Sequence, residues 1–165
     1  MNRGKRLFLA AAIAMIVAVP NARAGDGPKQ SQYRLEGTWD LLLTLGDGTQ
    51  FRSVLTVIPG ITPDGGSILH STDVSLSPPH PTLPEQGVWR REGRRRFLAS
   101  YRGFAFDENL QPVGRIGFRQ TITLDKNAQS FTGQAVFEEI DRDGNVVFSD
   151  PAVQAYGVRQ LVEGP

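Results

Sequence analysis

The chain has 165 residues, of which 39% are hydrophobic and 21% charged, with no cysteine and a formal net charge of +1. The missing cysteine excludes disulfides, zinc–thiolate sites and cysteine nucleophiles, so any core must hold by apolar packing alone. Arg3, Lys5, Arg6 and Arg23 lie in an N-terminal address, and without them 14 basic face 17 acidic side chains, net −3, a balance that argues against nucleic-acid binding.

The chain opens like an export signal. A basic segment precedes an apolar run from Leu7 to Val19, Pro20 breaks it, and Ala22-Arg23-Ala24 supplies a small-x-small cleavage pattern before Gly25. The run is short of the roughly 20 residues a bilayer span needs, so no stable membrane anchor is expected. Residues 1–24 are read as a signal peptide, residues 25–34 as a flexible lead-in and residues 35–162 as one domain. The expected destination is the periplasm or the outside of the cell.

From Leu35 onward the pattern is strand and turn. Leu35–Leu45 and Gln50–Ile58 flank Gly46-Asp47-Gly48, a hairpin signal, and Ser67–Asp73 follows Pro63-Asp64-Gly65-Gly66. Val74–Gln86 holds Pro78, Pro79, Pro81 and Pro84, each without the N–H a sheet ladder needs, and is read as an irregular connection. Gly87–Arg91 and Arg96–Phe106 form the next hairpin, with a β-bulge expected at Arg102-Gly103. Val113–Leu124, Phe131–Ile140, a short Val146–Phe148 and Ala152–Val162 complete the series. In Arg115–Leu124 the residues Ile116, Phe118, Gln120, Ile122 and Leu124 share one face, the period of a half-buried strand. Sequential hairpins without helices predict an all-β, antiparallel up-and-down barrel of about eight to nine strands.

A barrel of that size is either filled by side chains or holds one small ligand. Tyr101, Phe118 and Phe137, with His80 above them, are the expected ligand-binding residues, and Gly103, Gly117, Gly133, Ala135 and Gly157 are read as small inward positions that leave room. Trp39, on the first strand, needs a partner for its indole N–H, and Arg159 on the last strand is placed to lie across its ring and close one barrel end.

Gly37-Thr38-Trp39 with a late-strand arginine resembles the calycins, the lipocalin and avidin-type barrels. Gly87-Val88-Trp89-Arg90-Arg91, Phe97-Leu98-Ala99-Ser100-Tyr101, Phe104-Ala105-Phe106-Asp107, Thr121-Ile122-Thr123-Leu124 and Ser130-Phe131-Thr132-Gly133 resemble a group of small exported bacterial proteins with a lipocalin-like barrel. That resemblance implies a calycin-type barrel across Leu35 to Leu161. Biotin is not implied, since an avidin cage is rich in tryptophan and only Trp39 and Trp89 are present. Allene oxide cyclase and dirigent barrels share the shape and add a cyclase or isomerase alternative by analogy.

His70, Asp73, His80 and Glu85 are the polar candidates for acid–base chemistry, and all are read as exposed loop residues. Glu139-x-Asp141-x-Asp143-Gly144 with Asp150 has calcium-loop spacing but the wrong terminal ligands and strands for helices, so a hairpin turn is expected and no metal. Arg94, Arg95 and Arg96 crown a basic hairpin that offers an anionic contact, the basis of an interaction or inhibitor alternative. No nucleophile motif stands out. The sequence favours an exported, non-enzymatic barrel that binds a small apolar or amphipathic ligand, with no cofactor and no catalytic residue assigned; it gives no oligomeric state.

Overall fold

The alternation of apolar and polar residues becomes eight strands. The computed structural model describes residues 32–62, 64–72 and 84–161. Its strands are β1 (Gly37–Thr44), β2 (Gln50–Pro59), β3 (Gly65–Thr72), β4 (Glu85–Arg91), β5 (Arg96–Phe106), β6 (Pro112–Leu124), β7 (Ser130–Asp141) and β8 (Val146–Arg159). Each strand pairs antiparallel with its neighbours in sequence, and β8 returns to pair with β1 from Trp39↔Arg159 to Thr44↔Gln154. The sheet is therefore a closed, all-β up-and-down barrel, and closure leaves no open edge to recruit another chain.

Burial follows the two-residue period. In β1, Trp39, Leu41 and Leu43 are buried while Asp40 faces out; in β6, Ile116, Phe118, Gln120, Ile122 and Leu124 are buried while Arg119 and Thr123 are exposed. The β7–β8 turn shows why Asp141 and Gly144 are where they are. Gly144 takes φ +92°, which a side chain would strain, and the Asp141 carboxylate accepts hydrogen bonds from the Asn145 backbone N–H (2.8 Å) and side-chain amide (3.0 Å). The Asn145 side chain and backbone hold the Asp141 carboxyl below the usual range. Asp150 instead accepts from the Gly46 and Ala152 backbone N–H groups, so Asp141 and Asp150, two carboxylates of the calcium-like spacing, serve separate contacts.

Several expectations need correction. No bulge occurs at Arg102-Gly103: the β5–β6 register runs unbroken from Arg96 to Ala105 and shifts only between Ala105 and Phe106. Phe104 keeps the strand's parity by pointing outward, 57% exposed. Gly117 is not an inward position; it pairs with the outward Arg102, whose Cγ would lie 3.5 Å from an added Cβ. Val146–Phe148 and the segment from Ala152 are one strand, β8. Pro151 is accommodated because the β1 pairing begins only at Gln154 and the β7 register shifts beside it. The irregular connection ends at Pro84, since Glu85 and Gln86 already pair in β4.

One barrel end is filled by aromatic and aliphatic side chains. Trp39 donates its indole N–H to the Leu35 carbonyl at 2.9 Å and meets Phe131 edge-on at 5.0 Å. The Arg159 guanidinium lies 4.1 Å from the Trp39 ring centroid and donates to the Glu36, Arg34 and Ala128 carbonyls. Trp89 donates to the Ile58 carbonyl and packs against Phe97, and Tyr33 and Leu35, ahead of β1, are buried here as well.

Gly87 sets the approach of β4 to β5. An added Cβ would meet the Ser100 carbonyl oxygen and sit 2.5 Å from Tyr101 Cα, and neither backbone atom can swing away. Gly87→Ala should therefore destabilise the barrel by about 1–3 kcal/mol rather than gain from lost glycine entropy. A lower urea midpoint at an unchanged slope would show this. An equal or higher midpoint would contradict it.

Candidate functional site

Away from the Trp39 end, three adjacent strands turn polar side chains inward. Ser53 lies on the inward face of β2 with Leu55 and Val57; His70 shares the inward face of β3 with Ile68; Glu85 opens β4 on the face of Trp89. His70 pairs directly with Glu85, and Ser53 pairs with Thr72, the last residue of β3. That register joins the three side chains. His70 Nδ1 is hydrogen-bonded to Glu85 Oε2, and His70 Nε2 lies 2.9 Å from Ser53 Oγ. Relative exposures are 5% for Ser53, 0% for His70 and 1% for Glu85. His70 and Glu85 are thus core groups, and their reading as exposed loop residues is overturned. The cause is parity: His70 falls on the apolar phase of β3, and Glu85 falls on the apolar phase of β4, which begins two residues before the expected Gly87.

Facing this trio is an aromatic and amide wall. Tyr101 stacks on Phe118 at 5.2 Å, Phe118 packs on Phe137 at 5.0 Å, and Phe137 meets Phe148 at 6.0 Å. His70 lies against both Tyr101 (4.9 Å) and Phe118 (5.6 Å). Burial, reinforced by the negative charge of Glu85, pushes the Tyr101 hydroxyl far above its ordinary pKa. It stays protonated and donates to Gln120 Oε1 at 3.0 Å. The Gln120 side chain rests over Gly133, where an added Cβ would come within 2.9 Å of Nε2.

Two atoms of this cluster are buried without a hydrogen-bond partner among the described residues, Glu85 Oε1 and Gln120 Nε2. One is an acceptor and the other a donor. A buried polar atom left unpaired costs about 1–3 kcal/mol, so each of the two weighs on the stability of this interior.

Tyr101, Phe118 and Phe137, named from the sequence, are brought together here; His80 and Asp73 lie outside the described residues. Trp39 and Arg159 meet at the other end of β1 and β8. The basic hairpin is partly spent on the fold: Arg94 and Arg95 lie over the Tyr33 ring, Arg95 donates to the Leu124 carbonyl, and Arg96 is 3.8 Å from Glu92. Sequence reasoning passed over Ser53 and Gln120 as site residues. Both stand on the apolar phase of their strands, and that misplaced polarity was the available signal. Among the described residues no group of three or more histidine or carboxylate side chains is placed to hold a metal.

No protein-family model matches the chain, and no curated protein does. Solved structures do. The structure of EF1p2_mFAP2b bound to DFHBI aligns with a TM-score of 0.56 at 18% identity, over 76% of this chain and 94% of that one. A redesigned beta barrel, mFAP1, bound to DFHBI, aligns at 0.48 and 18% identity over the same shares, 76% and 94%. The S-type phycobiliprotein lyase CPES from Guillardia theta aligns at 0.41 and 11% identity, over 79% of this chain and 90% of that one. At such identities the likeness to the first of these concerns the fold. The chain is a closed eight-stranded antiparallel barrel, and its own interior must supply the argument for function.

Proposed function

We propose that the mature chain is an exported barrel, periplasmic or secreted, that binds a small, largely apolar molecule with a hydrogen-bonding head in its interior. The observation that carries this reading is the unpaired donor–acceptor pair, Gln120 Nε2 and Glu85 Oε1, beside the aromatic wall of Tyr101, Phe118 and Phe137. An apolar wall with a few placed polar groups is the common make-up of a small-molecule site. The DFHBI bound by the barrel of similar fold is consistent with an eight-stranded interior of this kind accepting one small ligand.

Native mass spectrometry of protein recovered from its producing cells tests the proposal. The expected result is a retained small-molecule mass in the wild type that is lost in Gln120→Leu, with Phe118→Ala weakening retention by about tenfold. A wild-type protein that carries no adduct, and acquires none when offered apolar aromatic compounds, would refute it.

A cyclase or isomerase is the second reading, and the inward placement of His70 favours it over an exposed histidine. Its requirement is a bare imidazole nitrogen facing substrate. His70 Nε2 is already engaged by Ser53, so the group next in line is the serine hydroxyl.

A further inference from the structure

We infer that Ser53 is an activated nucleophile, held by His70 and Glu85 in a Ser–His–Glu relay that equips the barrel interior for acyl transfer from small apolar esters. The connectivity is that of a nucleophile, its base and the group that orients the base. Ser53 Oγ is 2.9 Å from His70 Nε2, and the opposite nitrogen, Nδ1, is hydrogen-bonded to Glu85 Oε2. A carboxylate on Nδ1 keeps the proton there and leaves Nε2 as the acceptor for the serine proton, which is the tautomer a nucleophilic serine requires. Such relays recur on unrelated folds and are recognised by geometry and role, so their absence from the sequence motifs is no obstacle.

Three further features fit. Ser53 pairs with Thr72, the last residue of β3, so it stands nearer the strand end than His70 and is the first relay member met from that side. The His70 ring is braced by Tyr101 and Phe118, which restrict its orientation. Gln120 Nε2 leaves the buried interior with an unpaired N–H donor, the kind of group that stabilises a developing oxyanion.

The step balances without a cofactor. Ser53 Oγ forms a bond to the acyl carbon of an ester while its proton passes to His70 Nε2, and the Glu85 carboxylate stabilises the imidazolium. The acyl carbon–oxygen bond to the leaving alcohol then breaks, and the alcohol departs with the proton from His70. The acyl group remains as an ester on Ser53. Water, deprotonated by His70, releases it as a carboxylic acid and restores the hydroxyl.

Phenylmethylsulfonyl fluoride, small and aromatic, is the probe. Its sulfur–fluorine bond breaks as a sulfur–oxygen bond forms at Ser53; fluoride leaves, and the serine proton passes through His70 to water. Intact-mass and peptide analysis of the folded full chain should show one adduct, on Ser53. Ser53→Ala should show none. The binding proposal is read separately, from the small-molecule mass of the wild type, so a wild type that retains a ligand but takes no adduct refutes this inference alone. Glu85→Gln and His70→Gln should slow labelling by about 10²–10⁴-fold. Circular dichroism melts identify the variants that still fold, and Glu85→Gln, the more conservative change, decides the result if His70→Gln does not. No adduct on the folded wild type, an adduct elsewhere, or an equal labelling rate in folded Glu85→Gln would overturn the assignment.

Discussion

His70→Leu is expected to lower stability by about 3–5 kcal/mol, and adding Glu85→Leu is expected to recover most of that loss. The single change strands the Glu85 carboxylate, 1% exposed, in an apolar interior with neither oxygen partnered among the described residues, and a lone buried charge is costly. Removing both partners removes the desolvation penalty together with the attraction, so the double variant should lie within about 1–2 kcal/mol of the wild type. Ser53 Oγ then lacks its histidine partner, a loss of about 1 kcal/mol. Urea midpoints for the two single variants and the double variant make the cycle. A double variant as unstable as His70→Leu would mean that the pair is a structural keystone. Recovery would mean that the barrel carries it for a purpose other than folding.

Trp39→Ala is expected to cost about 3–5 kcal/mol, with a fall in melting temperature on the order of 10 °C. The ring is fully buried, packs edge-on against Phe131 at 5.0 Å and carries the Arg159 guanidinium at 4.1 Å. Truncation empties that space, leaves the Leu35 carbonyl without its indole donor and removes the surface on which Arg159 lies. Arg159→Lys should cost less, because the ring stays packed while the fork that reaches the Glu36, Arg34 and Ala128 carbonyls is lost. Thermal melts followed by circular dichroism check both. A loss below about 1 kcal/mol for Trp39→Ala would show that this end of the barrel collapses around the gap.

The strands were legible because half-burial writes a period of two into the chain, as in β6, and because turns such as Asp143-Gly144-Asn145 carry residues suited to their backbone angles. The boundaries of β4 and β8 were not. A proline just ahead of β4 and another within β8 suppress the strand signal, yet Pro84 precedes the first β4 pair and Pro151 lies where β1 no longer follows β8. Gln120 was visible on the apolar face of its strand. What that position meant was hidden, since one polar residue on an inward phase is compatible with a bulge, a turn or a site.

By itself, the sequence determined the class of fold and the wall residues Tyr101, Phe118 and Phe137, because alternation is a local property that each strand carries alone. Only the tertiary structure decided that Ser53, His70 and Glu85 belong together. They are separated by 17 and 15 residues, and what joins them is the register of β2 on β3 and of β3 on β4. A slip of one residue in either pairing would turn a strand's whole inward set to solvent, so the trio exists only once both of these registers are fixed.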